Sequence, residues 1–377
     1  MRVLYVSSGL DPRTGGTATA AISVCLAARR AGIEATLAYA FEPGTEQSIE
    51  PGLRALREAG VTLHVFPFWQ RGGARAIGWG ISPALNRWVR REARSFDVIH
   101  GHSVWVLSSL SALRSAMAAG KPFVLMPHEG LTRFDMSRGG NAMLIRLKAL
   151  LRRYYVRHSA AIILSSELER LDSRLDHATV IAHPVFDERR AFEPPTAHAA
   201  DDPITIGFLG RFHKKKNLHL LIDAMALAPA IHLRIGGSGN PDFTRSLEAR
   251  VERHRLGERV TWLGFVAAEA KHDFYRSVDL IAMPSQFECF GLVGAEAMAE
   301  GVPVLVSPTV GIAEDVSAGE CGLVIPARPD AIGVALARLK RPMLAEWGAA
   351  ARQVALGHYS LSAHGERLKA LYTELIG

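Results

Sequence analysis

The sequence predicts two α/β domains, each built on a parallel sheet, and three observations predict it. The chain has 377 residues, which is long for a single hydrophobic core. Short apolar strands alternate with helical stretches, and the alternation runs its course twice. Between the two runs lie residues 184–203, PVFDERRAFEPPTAHAADDP, with four prolines and neither a helical nor a strand period. The expected boundaries are a first domain over 1–185, a linker over 186–203 and a second domain over 204–359.

The elements justify this in order. RVLYVSS (Arg2 to Ser8) is a β-branched and aromatic run, and so a strand. The turn-rich loop GLDPRTGGT follows, then an Ala-rich helix that stops at Gly32, then the strand IEATLAYA. That is an opening βαβ unit. VTLHVF, FDVIHGH, PFVLMPH and AAIILSS continue the first sheet. ITIGFLG, HLRIGG, VTWLGF, DLIAMPS, VPVLVSP and GLVIPA make the second. Two such sheets joined by a linker put a cleft between the C-terminal ends of their strands, where open α/β sheets bind ligands.

Composition narrows the function. Hydrophobic residues make up 48% and charged residues 21%, the balance of a packed globular protein. No apolar run reaches the roughly 18–20 residues that span a bilayer, and the N-terminus turns polar too soon for a signal peptide. Cys25, Cys289 and Cys321 lie far apart and form no CxxC pair, which fits a reducing compartment. The expectation is a cytoplasmic protein, at most peripheral on the inner face of the membrane. The net charge is +7, and residues 1–185 carry 23 Lys+Arg against 14 Asp+Glu. The positive excess therefore belongs to the first half, which suits phosphates or anionic lipid, or is a solvated basic face.

Two segments carry chemistry. In ITIGFLGRFHKKKNLHLLIDAMA a strand ends at a Gly-turn, and Arg211 and Lys216 then precede a helix whose free N–H groups favour anions. Two cations at that place suit a diphosphate; an exposed basic loop would look the same. In MPSQFECFGLVGAEAMAEGVPVLVSP, Glu288 falls in a loop, FGLVG opens a helix, and Glu296 follows eight residues after Glu288. A carboxylate there can accept both hydroxyls of a ribose. Read alone, the two Glu also fit a solvated helix face.

Together, GRFHKKKN and the later ECFGLVGAEAMAEGVPV resemble the family-4 glycosyltransferases of the GT-B fold, two Rossmann-like domains facing each other across a cleft. That pattern is a G-R-x-x-x-x-K step, then an E-x7-E motif. The resemblance extends to Thr14–Thr17 (TGGT), FDVIHGHSVW and PHEG, and covers nearly the whole chain. It implies that a final helix at about 360–377 packs back on the first domain. Arg211 and Lys216 would neutralise the donor diphosphate, with the amides of Gly291 and Leu292. Glu296 would hold the ribose and Glu288 the transferred sugar. Gly15 and Gly16 would let the first loop approach the phosphates. His128 would lie by the transferred sugar and the acceptor, and Val266 would border the base. Cys289 stands where the family has Gly, and Ala182-His183-Pro184 where it often has P-N-G.

The resemblance implies a retaining hexosyltransferase, using a UDP- or GDP-sugar and a glycan or polyprenyl-diphosphate-linked acceptor in cell-surface or exopolysaccharide synthesis. No cofactor and no metal are expected, since no D-x-D motif ends a strand. An NDP-sugar epimerase or a phosphorylase on the same fold is the alternative, and a non-catalytic nucleotide-sugar-binding protein a third reading. Other signals fail. Gly237-Ser238-Gly239 lacks the third glycine of a dinucleotide fingerprint, with Asp242 in its place, and Gly120-Lys121 is followed by proline, which excludes a Walker A loop. His100 and His102 alternate on one strand, as a metal pair or as lining or core residues. NRWVRREAR, LIRLKALLRRYYVRH and the loop Phe66–Gly80 mix arginines with aromatics, as a membrane-surface helix or an ordinary packed one would. No nucleic-acid motif accompanies the charge.

Overall fold

The computed structural model describes residues 1–11, 16–41, 43–69, 79–137, 142–195 and 202–377. The chain divides into two units, Met1–Asp187 with Ser360–Gly377, and Glu188–Tyr359.

The first unit holds a seven-stranded sheet in the order β3-β2-β1-β4-β5-β6-β7. Its strands are β1 (Arg2–Ser7), β2 (Glu34–Phe41), β3 (Thr62–Pro67), β4 (Val98–His102), β5 (Phe123–Met126), β6 (Ala161–Leu164) and β7 (Thr179–Val180). Every pairing is parallel, with Val3 opposite Ala35 on one side and Val98 on the other. A parallel sheet is covered on both faces. Val3 and Tyr5 accordingly point into one core and Leu4 and Val6 into the other. The helix Leu361–Ile376 belongs to this unit and lies on the helix Gly16–Arg30. A Cβ on Gly365 would stand 2.3 Å from the carbonyl oxygen of Ala27, so only glycine permits this approach. Leu368 and Tyr372 complete the core beside Tyr5.

The second unit holds a six-stranded parallel sheet in the order β10-β9-β8-β11-β12-β13. Its strands are β8 (Ile204–Leu209), β9 (Ile231–Gly236), β10 (Val260–Gly264), β11 (Leu280–Met283), β12 (Val304–Val306) and β13 (Gly322–Val324). Of the expected linker, residues 186–187 belong to the first unit and the described residues from 188 onward to this one. Glu193 pairs with Arg276 at 2.6 Å, and the guanidinium of Arg352 lies 4.6 Å from the centre of the Phe192 ring.

In each unit the strand order reverses once, between β1 and β4 and between β8 and β11. The loops leaving those strands diverge to opposite faces and leave a crevice at the C-terminal edge. Among the described residues no helix is long and apolar enough to cross a membrane.

Candidate active site

In the second unit the two motif segments are the two loops at the reversal point. After β8 the chain passes Gly210, and the Phe212 N–H bonds the carbonyl of Ser238 at 2.7 Å, which pins the turn beside the end of β9. Gly237 is obligatory there, since a Cβ would sit 1.9 Å from the carbonyl oxygen of Gly210. Lys214–Lys216 form one 3-10 turn, capped by the His213 ring, which accepts the Lys215 N–H at 3.1 Å. Two bonds dock this turn on the loop after β11. Asn217 donates to the carbonyl of Pro284 at 2.8 Å, and the Gln286 N–H donates to the carbonyl of Lys215 at 2.7 Å.

That docking brings Lys216 to Glu288, and their side chains form an ion pair. The backbone of Glu288 is held on both sides: its N–H bonds Thr309 at 3.0 Å, and its carbonyl accepts the N–H of Gly311 at 2.9 Å. Gly291 then opens the helix Leu292–Ala299 with φ of 112°, where a side chain would be strained and its Cβ would press on Val310 at 2.8 Å. The N–H groups of Gly291 and Leu292 make no hydrogen bond to any described residue, as an anion site at a helix start requires. Arg211 is exposed, and Val266 lies against Gly236 at the end of β9.

Glu296, on the second turn of that helix, already has partners. Lys271 Nζ bonds its two oxygens at 2.9 and 2.8 Å, and the Tyr275 hydroxyl donates to Oε2 at 2.5 Å. Burial, with the adjacent carboxylate, pushes the Tyr275 phenol well above its usual range, so it remains a donor. Lys271 and Tyr275 escaped the sequence reading. Their i, i+4 spacing on the helix Lys271–Arg276 was the available signal.

In the first unit the strand ends carry a file of histidines. His100 and His102 alternate along β4 and are buried. Neither is arranged as a metal ligand: among the described residues no three His, Cys, Asp or Glu are placed to hold an ion. Instead the rings stack, His100 on His102 at 4.8 Å, His102 on His128 at 5.2 Å and His128 on His183 at 5.3 Å. His102 Nδ1 lies 2.9 Å from His128 Nε2, and His100 Nδ1 lies 2.5 Å from the Tyr372 hydroxyl. Burial, then the neighbouring imidazoles, holds His100 at about 3, and the same two causes keep His102 and His128 well below the usual range. His128 and Glu129 both adopt left-handed backbone, φ 51° and 72°. The buried carboxylate of Glu169, also missed by the sequence reading, holds this turn. Gly16 begins the helix Gly16–Arg30, and Gly15 lies outside the described residues.

The helix Ala142–His158 buries only Tyr155 fully, while Met143 is 75% and Leu150 65% exposed. Lys148 ties it to Asp135 of the short helix Arg133–Met136 at 3.4 Å, and Trp105 donates to the same carboxylate at 2.9 Å.

Comparison with known proteins gives consistent matches. The family described as "Glycosyl transferases group 1" matches residues 189–354, and the "Glycosyl transferase 4-like domain" matches residues 15–178. The chain is 28% identical over 363 residues to the D-inositol 3-phosphate glycosyltransferase of Stackebrandtia nassauensis, covering 85% of this chain and 78% of that protein. It is 36% identical over 152 residues to an uncharacterized glycosyltransferase of Methanocaldococcus jannaschii, covering 39% of this chain and 37% of that protein. Its fold matches that of Anabaena HepE in complex with UDP, with a TM-score of 0.76 at 20% identity over 99% and 100% of the two chains. Sucrose-phosphate synthase from Thermosynechococcus elongatus gives 0.74 at 20% identity over 99% and 98%.

Proposed function

We propose that this chain, which belongs to the family-4 glycosyltransferases of the GT-B fold, is a retaining enzyme that moves a hexose from a UDP- or GDP-sugar to a glycan or lipid-linked acceptor. The observation that carries the reading is the second unit's constellation: Lys216 paired with Glu288, unbonded amides at Gly291 and Leu292, and Glu296 on the next turn. Each member answers one part of a nucleotide sugar. Lys216 and Arg211 neutralise the diphosphate as its bond to the sugar breaks, the work a divalent ion does elsewhere. Glu296 accepts the ribose hydroxyls. Glu288 holds the hydroxyls of the transferred sugar and, through Lys216, couples that grip to the leaving group.

The glycosyl centre passes through an oxocarbenium-like state. The departing phosphate takes the acceptor proton on the face it leaves, which retains the anomeric configuration without a carboxylate nucleophile. His128 serves the transferred sugar and the acceptor. HepE structures contain UDP and UDP-glucose, which supports a uridine donor over the alternatives.

The acceptor side belongs to the basic first unit. Its exposed apolar helix Ala142–His158, with Arg146, Lys148, Arg152 and Arg153 interleaved, supports a peripheral place on the inner face of the cytoplasmic membrane and a lipid-linked acceptor.

The deciding experiment is a thermal-shift screen against UDP, GDP, ADP and their sugars, followed by product analysis with the stabilising donor. A ligand at 100 times its Kd adds roughly 2.7 kcal/mol to apparent stability. Acceptor-dependent release of nucleotide, with the anomeric configuration kept in the product, is expected. Inversion would overturn the mechanism, and donor turnover without acceptor would favour an epimerase.

A further inference from the structure

His102 Nδ1 and His128 Nε2 share one hydrogen bond of 2.9 Å, and two neutral rings can share it in two ways. If His128 donates, its proton sits on Nε2 and the proton of His102 is forced onto His102 Nε2. That atom is buried and has no partner among the described residues. The fold would then hold a buried N–H without a partner among the described residues, which costs the desolvation of that group. If His102 donates instead, the interior holds only a bare ring lone pair. The proton of His128 is then left on Nδ1, which has no partner among the described residues and remains for a ligand.

The ring below repeats the pattern. His100 Nδ1 meets the Tyr372 hydroxyl, which in turn lies 3.3 Å from the Tyr5 hydroxyl. His100 Nε2 is likewise buried and unbonded among the described residues. The burial that keeps these imidazoles far below their usual range removes the third possibility, a doubly protonated ring. The backbone that carries His128 is held in place. This left-handed residue is followed by a second, Glu129, whose N–H is held by Glu169 at 2.9 Å. Strain of this kind persists only where the surroundings over-determine it.

We propose that His102 is a positioning residue that fixes the tautomer of His128, donating from Nδ1 to His128 Nε2, so that His128 presents an N–H donor at Nδ1 to a hydroxyl or ether oxygen of the bound sugar. The proposal rests on the reading of His128 as a sugar-contacting residue. It gives that residue a definite chemistry: it is a hydrogen-bond donor in the resting enzyme, not a base waiting for the acceptor proton.

The test is nitrogen-15 NMR of histidine-labelled protein without substrate, where the two-bond correlation pattern separates Nδ1–H from Nε2–H rings. His128 is assigned by the peaks lost in His128→Gln. The wild type should show His128 as Nδ1–H. His102→Asn, whose amide can place an N–H where Nδ1 was, should keep that pattern and keep turnover. His102→Asp places only an acceptor there. It should switch His128 to Nε2–H and lower kcat by about tenfold with little change in donor KM. A wild-type His128 found as Nε2–H overturns the proposal, and so does a His102→Asp protein with the pattern unchanged. Should His102→Asp fail to fold, the wild-type tautomer alone decides. The NMR result is independent of activity, so a protein that transfers no sugar would defeat the proposed function and leave the tautomer assignment standing.

Discussion

Glu169, fully buried, accepts the backbone N–H of Glu129 at 2.9 Å across forty positions of sequence. Its other oxygen takes the N–H and hydroxyl of Ser165 at 2.7 and 2.6 Å. Three donors therefore converge on one carboxylate that fastens the left-handed turn at His128. In Glu169→Gln an amide NH2 must face one of these donors. The variant should lose about 1–3 kcal/mol of stability and lower kcat, while donor KM stays near wild type. Thermal melting and steady-state kinetics measure both. Wild-type kcat would mean that the turn keeps its shape unaided.

The histidine file makes the first unit sensitive to acid. His100 and His183 are held at about 3 and His364 at about 4 by burial, against an ordinary value of 6.5. Their folded values are depressed, so below pH 6.5 the unfolded chain binds protons that the native one refuses. Stability is complete above about pH 6.5 and falls with decreasing pH until each group reaches its folded value. Each costs about 1.4 kcal/mol per pH unit in that window. Urea unfolding at pH 7 and pH 5 should show the loss. His364→Asn, which can keep a donor to the Ala182 carbonyl, should flatten the slope by one proton. Equal stability at the two pH values would refute the buried neutral assignment.

On the proposed reading both cations hold the diphosphate; Lys216→Ala also leaves Glu288 without its cation, whereas Arg211→Ala removes an exposed charge and breaks no ion pair among the described residues. Each should slow transfer by about 10²–10³-fold. Donor binding by Arg211→Ala should also depend less on salt than that of the wild type, since exposed charges are screened. Unchanged kcat/KM in both variants would displace the diphosphate from this turn.

On the proposed role of Glu296 as the ribose ligand, 2′-deoxy-UDP should bind more weakly than UDP. Calorimetry should show the preference in the wild type and its loss in Glu296→Ala. Tyr275→Phe removes the 2.5 Å bond that aims the carboxylate and should weaken UDP by about 3–10-fold. A preference that survives Glu296→Ala places the ribose elsewhere.

Anionic vesicles should bind the protein at low salt and release it as salt rises. Each basic residue near the surface contributes about 1 kcal/mol within a Debye length. Replacing Met143 and Leu150 by Glu, both mostly exposed, should abolish co-sedimentation without lowering the melting temperature. Equal pelleting of that variant and the wild type would assign the exposed helix face to some other partner.

The sheets were legible because each strand is a short apolar run closed by a turn. β7, with two residues, has too little sequence to read. The placement of the candidate residues was legible for a related reason: Gly210 to Lys216 and Glu288 to Glu296 each lie within one loop and one helix start. What pairs with them was not. Lys271 meets Glu296 across 25 positions, and its i, i+4 spacing with Tyr275 does not state which distant carboxylate the pair serves. Glu169 looks like an ordinary acid in a first helical turn, where charge is common, and only its burial reveals the anchor. The i, i+2 spacing of His100 and His102 put both on one face. Their stack with His128 and His183 depended on β4 lying beside β5, which the spacing does not state. Part of the aromatic and basic loop Phe66–Gly80 falls at residues 70–78, outside the described residues.

The first unit takes one of its helices, Leu361–Ile376, from residues that follow the second unit in the chain. Synthesis runs from the N-terminus, so residues 1–187 leave the ribosome long before Leu361–Ile376 is made. Throughout that interval the nascent sheet has its strands but lacks Leu368 and Tyr372, and His100 lacks the hydroxyl it bonds at 2.5 Å. The intervening unit, Glu188–Tyr359, is contiguous and can close its own core first. Order of translation and order of completion are thus reversed. A chain cut short before Leu361 would strand an almost finished first unit with an open seam along the helix Gly16–Arg30, the surface on which a chaperone or protease would act.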